Sequence, residues 1–304
     1  MIDLDQALTV LRAGGLVAIP TETVYGLAAD ASNSDAVKRI FSVKSRPAGH
    51  PLIVHIADAK LLGDWAATIP PAAAVLADAC WPGPLTLLVP RAAHVLDVVT
   101  GGLPTVGVRV PAHPMTLELL QRFGGGLAAP SANRFGRVSP TTADHVRTDL
   151  GDDVDFILDG GGCPVGVEST IVDCTVDPPQ VLRPGGIPAD EITALLKMTL
   201  GAATGSSRAP GMLLSHYAPR CRVLLADSSA EAQVLVAANP GAEVLDDDDL
   251  AQYAHSLFSR LRDADDRGVH TLIAVLPLPE GLGHAIRDRL VKAAASPPPA
   301  LPVR

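Results

Sequence analysis

A patch of hydroxyl, carboxyl and phenol groups follows the first apolar run of the chain. Leu16–Ile19 is apolar and comes after Gly14 and Gly15, so it predicts a buried strand that follows a helix end. The segment Pro20–Leu27 (PTETVYGL) comes directly after this strand. Polar groups at the carboxyl end of a strand stand where open α/β sheets bind ligands. A polar turn uses the same residue types, so this segment alone leaves both interpretations open.

Two cations, Lys44 and Arg46, follow a helix that the sequence predicts to begin at Ser34. A lysine offers a point charge and an arginine offers two parallel donors, and together they could clamp a phosphate. Two exposed charges in solvent would explain the pair equally simply. We therefore treat Lys44 and Arg46 as candidate catalytic cations whose role depends on what lies near them.

Other candidates lie at the ends of apolar segments. Ser131 and Asn133 follow an apolar strand and point to the same side if the chain is extended, as a nucleotide-contacting pair would. Arg109 lies in the apolar segment Val106–Val110, where an arginine binds a carboxylate or phosphate or forms a structural ion pair. His55 is in a similar strand and could equally be a hydrogen-bonded core histidine.

Several motifs that would name a chemistry do not occur. The glycine-rich loop Asp159–Gly162 belongs to neither a P-loop nor a dinucleotide-binding fingerprint, and the sequence has no HExxH or G-x-S-x-G. The four cysteines are scattered without CxxC spacing, which favours reduced, buried thiols over a zinc site or a disulfide framework. The sequence therefore predicts no metal ligands from the protein.

The composition limits the class of protein. Of 304 residues 47% are hydrophobic, only 3% are aromatic, and the net charge is −9, which predicts an aliphatic core and disfavours salt-driven nucleic-acid binding. No apolar run approaches the roughly 20 residues that span a bilayer, and the acidic N-terminus does not resemble a signal peptide. We expect a cytoplasmic protein that does not bind a membrane.

Strands and helices alternate along the chain, which predicts an α/β fold with an open twisted sheet and flanking helices. Beyond the first strand, we predict strands at 52–56, 85–89, 106–110, 127–129, 156–158, 170–172 and 181–182, and helices at 58–66, 71–80, 112–123, 141–150 and 188–200. Residues 1–200 form one predicted domain, 201–219 a linker, and 220–304 a smaller Rossmann-like α/β domain. In that smaller domain we predict strands at 222–226 and 271–276 and helices at 229–238, 249–263 and 283–295.

Taken in order, these motifs resemble the YrdC-domain threonylcarbamoyl-AMP synthases. The resemblance rests on eight segments spread over about 170 residues: Gly14–Leu27, Lys44 with Arg46, Pro51–His55, Pro82–Thr86, Val108–Pro111, Pro130–Asn133 with Ser139–Thr141, Glu168–Asp173 and Leu182–Gly185. His216 and Tyr217 lie in a stretch similar to the linker of the two-domain form of this family.

The resemblance implies an enzyme that joins L-threonine, bicarbonate or CO2, and ATP into threonylcarbamoyl-AMP and releases pyrophosphate, with Mg²⁺ on the ATP phosphates. The product would pass to a separate tRNA threonylcarbamoyl transferase complex. Lys44 and Arg46 would be catalytic. The residues implied for ATP binding are Arg46, His50, Thr105, Ser131, Asn133, Ser139, Arg183, His216 and Tyr217. Those implied for threonine binding are Thr23, His55, Arg109, Ala129 and Ser169.

Two other functions are compatible with parts of the sequence. A double-stranded RNA or tRNA-binding module without synthase activity could use a concave cationic surface, although the acidic charge and scarce aromatics make direct tRNA binding weak or absent. Carbamoylating maturation proteins contain the same type of domain, but they also carry acylphosphatase and zinc-finger regions for which this chain has neither the length nor a CxxC motif.

Overall fold

The computed structural model describes residues 2–202, 210 and 217–295. It contains one mixed sheet of nine strands and one parallel sheet of three strands, with helices packed around both. The predicted α/β architecture, a large twisted sheet followed by a smaller α/β unit, is therefore confirmed.

The larger unit holds the first nine strands and eight helices. Its strands are β1 (Val17–Ile19), β2 (Gly26–Asp30), β3 (Ile53–His55), β4 (Leu85–Pro90), β5 (Thr105–Arg109), β6 (Leu127–Ala128), β7 (Phe156–Ile157), β8 (Thr170–Asp173) and β9 (Gln180–Arg183). Its helices are α1 (Ile2–Arg12), α2 (Ser34–Lys44), α3 (Leu62–Trp65), α4 (Pro71–Cys80), α5 (Asp97–Thr100), α6 (Pro114–Phe123), α7 (Ala143–Leu150) and α8 (Ala189–Leu196). The strand order is β7-β1-β2-β6-β3-β5-β4-β8-β9.

The smaller unit has a three-stranded sheet with helices after its strands. It consists of β10 (Arg222–Ala226), α9 (Ser229–Ala238), β11 (Glu243–Leu245), α10 (Leu250–Asp266), β12 (Thr271–Val275) and α11 (Gly283–Ala295). The strand order is β10-β12-β11, and both pairings are parallel. Parallel strands need crossover connections, which α9 and α10 provide, whereas α11 follows the last strand and packs against β10.

The two units share a hydrophobic cluster. Val24, Val138 and Val167 of the larger unit pack with Tyr217 and with Phe258 of α10. These apolar side chains exclude water from the contact between the units. The loops that carry Val24, Val138 and Val167 also carry polar motifs, so those motifs lie close to the smaller unit.

The end of α2 decides where the candidate cations lie. Asn33 caps the helix start by accepting hydrogen bonds from the backbone amides of Asp35 and Ala36. At the other end Ser45 takes a left-handed conformation with φ 53°, which stops the helix directly after Lys44. Lys44 is therefore the last residue of the helix and Arg46 a loop residue, and the two side chains bind different partners.

Most predicted elements are present, with local differences. The strands β2 and β11 were not predicted, and the predicted helix 58–66 is a 3₁₀ turn at Ala59–Leu61 followed by the single turn of α3. The helix predicted over 188–200 ends at Leu196 because Lys197 adopts a left-handed conformation with φ 53°.

The expected burial of the cysteines is confirmed: Cys80, Cys163, Cys174 and Cys221 are all buried, and all four are free. Across residues 2–202, 210 and 217–295, none of the helices combines the length and the apolar character needed to cross a bilayer.

Candidate active site

A cavity lined by several charged and hydroxyl side chains, together with apolar ones, lies over one face of the larger sheet. His55 at the end of β3 is the register partner of Arg109 at the end of β5, so both side chains reach the same face. The segment after β6 approaches from the other side, where Ser131 forms an isolated bridge with Gly26. The described residues that line the cavity are Thr21, Thr23, Val24, Gly26, Arg46, Ile53, His55, Arg109, Ala129, Pro130, Ser131, Glu168, Ser169, Arg183, Pro210 and Tyr217.

The structure brings nine of the predicted site residues together in this cavity. They are Thr23, Arg46, His55, Arg109, Ala129, Ser131, Ser169, Arg183 and Tyr217. Five predicted residues belong to the described part of the chain but do not line the cavity: Lys44, His50, Thr105, Asn133 and Ser139. The remaining one, His216, lies outside the described residues, as do positions 203–209 and 211–216 of the predicted linker.

Arg109 is held in place from three directions. Its Nη2 lies 2.7 Å from the Glu22 carboxylate in a buried ion pair. Nη1 donates to Thr23 Oγ1 at 3.0 Å, and Nε donates to the Gly83 carbonyl at 3.2 Å. The guanidinium group therefore enters the cavity with a fixed orientation and carries its positive charge next to Thr23.

His55 is buried beside this cation. Burial, and then the charge of Arg109, lower the pKa of His55 to about 3. A histidine with such a pKa is a neutral ring at physiological pH. It therefore contributes a polar but uncharged surface to the floor of the cavity.

The opposite wall is organised by Arg183. Its Nη2 donates to both the backbone carbonyl and the hydroxyl of Ser169, at 2.8 and 3.0 Å. The same hydroxyl lies 2.8 Å from Thr86 Oγ1. Arg183 Nη1 also donates to the carbonyl of Pro210, so this side chain links strand β9 to a residue of the predicted linker.

Arg46 supplies the second cation of this wall. It donates to the Pro51 carbonyl at 3.0 Å and lies over the ring of Phe135, with 5.6 Å between the guanidinium carbon and the ring centroid. Burial, reinforced by the charge of Arg183, lowers the pKa of Arg46 to about 10. Even so, the side chain is a cation at neutral pH, and a bound anion would relieve the repulsion between the two arginines.

Lys44 lies beneath the cavity wall. Its ammonium group donates to the backbone carbonyls of Ser131 and Asn133, and the residue is 1% exposed. Burial, and then the charge of Arg46, lower the pKa of Lys44 well below its usual value. In this arrangement Lys44 fixes the turn that presents Ser131 to the cavity.

The other predicted residues outside the cavity lining are also engaged. The Asn133 amide donates to the carbonyls of Arg134 and Arg137 at 2.9 and 2.8 Å, and the buried Ser139 hydroxyl donates to Glu168 at 2.6 Å. The His50 ring makes an edge contact with Phe135, with ring centroids 5.6 Å apart. Thr105 begins β5, where it pairs with Pro90.

Four polar residues at or next to the site were missed as site residues at the sequence level. Thr21 and Glu168 line the cavity, Glu22 pairs with the cavity residue Arg109, and Thr86 orients Ser169. The sequence did contain a signal for the two glutamates, because Glu22 and Glu168 both lie in motifs that also hold several hydroxyl residues. A carboxylate in an apolar context needs a buried partner. What the sequence does not give is the identity of that partner.

An α/β sheet with two arginines on one wall and an arginine–glutamate pair on the other defines a binding site for polar, anionic molecules. Comparisons with known proteins agree with the motifs. Residues 9–185 match the Sua5/YciO/YrdC family, described as "Telomere recombination", and residues 187–295 match the family described as "Threonylcarbamoyl-AMP synthase, C-terminal domain". The chain therefore belongs to the Sua5/YciO/YrdC family, in the form that carries this second domain, and the resemblance found in the sequence is confirmed.

Individual relatives support this membership over almost the full chain. The chain is similar to a threonylcarbamoyl-AMP synthase of Pyrococcus abyssi, with 42% identity covering 93% of this chain and 91% of the relative. A threonylcarbamoyl-AMP synthase of Bacillus subtilis is 40% identical, covering 96% of this chain and 92% of the relative. The crystal structure of P. abyssi Sua5 complexed with L-threonine matches with a TM-score of 0.91 at 40% identity, covering 96% of this chain and 94% of that one.

Proposed function

We propose that this protein is an L-threonylcarbamoyl-AMP synthase. The observation that carries the proposal is a single cavity whose two walls suit two substrates, in a chain whose relatives bear the name of this enzyme. One wall carries an oriented arginine with hydroxyl groups beside it, as an amino acid requires. The other carries two arginines, as a polyphosphate requires. The family membership favours this enzyme over an RNA-binding module without synthase activity.

Threonine would bind between β3, β5 and the loop after β1. The fixed guanidinium of Arg109 is the natural partner of the substrate carboxylate, Thr23 offers a hydroxyl group beside it, and Ser169 offers one from the facing wall, where Arg183 holds it. His55 and Ala129 complete this half of the site. A relative of known structure binds L-threonine, which supports the assignment.

ATP would bind along the opposite wall. Arg46 and Arg183 are the cations that would meet its phosphates, and Ser131 lies next to them. Tyr217 would cover the nucleotide as a lid, and we keep His216, which lies outside the described residues, as an ATP-binding residue of this proposal. We retain His50, Thr105, Asn133 and Ser139 as ATP-binding residues in this proposal; two of them, Asn133 and Ser139, belong to the loops that form the wall.

The chemistry joins the two halves of the site. Bicarbonate or CO2 carboxylates the threonine amine, a carbamate oxygen then attacks the α-phosphate of ATP, and pyrophosphate leaves. Negative charge accumulates on phosphate oxygens during this transfer, so positioned cations are the main catalytic device. Arg46 would meet that charge directly, and Lys44 would contribute its nearby charge and hold the Ser131 turn.

Magnesium would enter with ATP. Glu168, the carboxylate among the described residues that line the cavity, is already engaged by Ser139 and Arg289, and the nearby Glu22 is engaged by Arg109. The described side chains therefore suit an ion held by phosphate oxygens and water, without ligands from the protein. When bound, Mg²⁺ would neutralise phosphate charge.

The biological setting follows from the product, a mixed anhydride that water destroys. We propose that the protein works in the cytoplasm and passes threonylcarbamoyl-AMP to the transferase complex that builds threonylcarbamoyladenosine in tRNA. With a net charge of −9, direct tRNA binding by this chain would be weak or absent.

The test is pyrophosphate release from ATP and bicarbonate, measured with each of the twenty amino acids in turn. The proposal requires threonine to stimulate release more than serine does. Because the two differ by one methyl group, worth about 1–3 kcal/mol in a hydrophobic pocket, serine should retain a weak response. Folded protein that shows no amino-acid-dependent release, but binds RNA with a steep salt dependence, would contradict the proposal.

A further inference from the structure

Helix α11 of the smaller unit inserts a buried arginine into the larger unit. Arg289 is 0% exposed, although it belongs to a helix near the end of the described chain. Its Nε donates to Glu168 Oε2 at 2.8 Å, and its Nη2 donates to the carbonyl of Pro184 at 3.0 Å. One side chain of the smaller unit therefore contacts two separate motifs of the larger one.

Glu168 passes this contact on to the cavity. Its other oxygen, Oε1, accepts a hydrogen bond from Ser139 Oγ at 2.6 Å, and Glu168 itself lines the cavity next to Ser169. Burial acts to raise the pKa of Glu168, but the charges of Arg289 and Arg183 lower it to about 2. The carboxylate is therefore ionised and held between the two units at neutral pH.

Arg289 also holds the aromatic side chain that borders the cavity. Its guanidinium carbon lies 5.1 Å from the centroid of the Tyr217 ring, and that ring also stacks on Phe258 of α10, with ring centroids 5.5 Å apart. Tyr217 is 1% exposed. Two side chains of the smaller unit thus fix the position from which Tyr217 faces the cavity.

A second arginine of the smaller unit supports the same wall. Arg262 of α10 forms an ion pair with Asp149 at 2.6 Å, and its Nε donates to the backbone carbonyl of Ser139 at 3.3 Å. The backbone of Ser139 is bound to Arg262, and its hydroxyl is bound to Glu168, which Arg289 holds. The loop that carries Ser139 is therefore linked to the smaller unit directly through Arg262 and indirectly through Glu168.

We propose that Arg289 is a positioning residue for ATP, through which the smaller unit holds Glu168 and Tyr217 at the nucleotide side of the cavity. The inference rests on the proposed synthase function. The inference gives the smaller unit a part in the reaction, on the ATP side. Among the described residues Arg289 contacts Glu168, Pro184, Asp288 and Tyr217, and none of these is a proposed threonine-binding residue. Arg289 acts through other residues and is not itself a catalytic residue.

The alternative is that Arg289 only joins the two units. A buried ion pair often contributes little net stability, while removal of one partner leaves an uncompensated charge. A purely structural arginine would therefore change the melting temperature and leave the kinetic constants of the folded protein unchanged. A positioning arginine must change the KM for ATP more than the KM for threonine.

The experiment compares full-length wild type with Arg289→Lys, Arg289→Met and the control Arg287→Met. Arg287 lies two residues away on α11, is 32% exposed and donates to the carbonyl of Pro277, so it tests the helix without the contact. For each protein we would measure melting temperature, pyrophosphate release, both KM values, and calorimetric binding of a non-hydrolysable ATP analogue and of threonine.

We expect Arg289→Met to raise the KM for ATP and weaken analogue binding by about tenfold to a hundredfold, the range in which a misplaced side chain costs activity. Threonine binding should change far less, and Arg287→Met should match wild type. For Arg289→Lys, the KM for ATP should lie between those of wild type and Arg289→Met. An ammonium group keeps the charge but cannot bind Glu168 and Pro184 while stacking on Tyr217.

If Arg289→Met does not fold, Arg289→Lys decides alone: a folded lysine variant with the wild-type KM for ATP overturns the inference. Equal losses for ATP and threonine would also overturn it. Wild-type protein that binds neither ATP nor threonine would contradict the proposed function itself, whereas active wild type with unaffected Arg289 variants would contradict only this inference.

Discussion

The guanidinium group of Arg109 and the carboxylate of Glu22 lie 2.7 Å apart, with side chains only 5% and 8% exposed. Glu22 also accepts a hydrogen bond from the backbone amide of Ala112 at 3.0 Å. The pair ties the loop after β1 to the end of β5. It fixes the direction in which Arg109 points, because a rigid planar group held on one edge can present only its other edges to a ligand.

Removal of the carboxylate should destabilise the protein. We expect Glu22→Gln to lower the free energy of unfolding by about 3 kcal/mol, since it leaves the buried Arg109 charge without its partner. Urea unfolding followed by circular dichroism measures this. The control is Glu118→Gln, which removes an exposed partner of Arg122 at 3.6 Å and should leave the midpoint where it is. Equal midpoints for Glu22→Gln and wild type would contradict the role of the pair.

Substitution of Arg109 separates the two substrates. Arg109→Lys keeps the charge but loses the fork of donors, and we expect the KM for threonine to rise by about tenfold or more, as for a lost charged hydrogen bond. The KM for ATP should stay within about twofold of wild type because Arg109 lies on the other wall. Steady-state pyrophosphate release with each substrate varied measures both. A larger change for ATP than for threonine would reverse our assignment of the walls.

Lys44 should be essential although it lies beneath the wall. We expect Lys44→Ala to reduce the rate of pyrophosphate release by about a hundredfold or more, because Ser131 and its turn lose their anchor and the site loses a charge. Lys38→Ala is the matched control, since Lys38 lies on the same helix with its side chain 62% exposed. A folded Lys44→Ala variant with near wild-type turnover would remove Lys44 from the catalytic residues.

The buried His55 predicts a pH dependence of stability. Its pKa is about 3 in the folded protein and about 6.5 in an unfolded chain, so the unfolded state binds more protons between these values. The free energy of unfolding should therefore fall as the pH is lowered from about 6.5 towards 3. His55→Gln cannot titrate and should lose that part of the slope. Parallel stability curves for the two proteins would show that His55 titrates normally.

Tyr217 should limit the loss of the labile product. We expect Tyr217→Ala to lower turnover or to release more AMP, the hydrolysis product, relative to intact threonylcarbamoyl-AMP, because water reaches the anhydride. Tyr217→Phe keeps the stack on Phe258 and should stay close to wild type if the ring is what covers the site. Unchanged kinetics and unchanged product ratio in Tyr217→Ala would contradict a lid.

The sequence could predict the elements that have strong periodicity. Helix 71–80 and strand 222–226 match the structure at both ends, since each combines an apolar pattern with clear flanking signals. Strand β2, with the sequence GLAAD, was missed because glycine and alanine have low strand propensity. Its pairing with β1 and β6 decides its conformation, and no local pattern reports that pairing.

The same limit applies to the site. The motifs predicted Arg46, Arg109 and Arg183 as site residues, but they did not predict which groups of the protein each arginine would bind. Glu168 and Arg289 are 121 residues apart in the chain and meet only because the smaller unit packs on the loops of the larger one. A charge pair of this kind depends on tertiary packing, so the sequence predicts that each charge needs a partner and leaves the partner open.

The central claim is that threonine, bicarbonate and ATP react in one cavity. The most direct measurement supplies ¹³C-labelled bicarbonate with threonine and ATP and identifies the adenylate product by mass spectrometry. Our account predicts threonylcarbamoyl-AMP that carries the label, formed by wild type and lost in Lys44→Ala. ATP cleavage without a labelled threonine adduct, by folded protein, would contradict it.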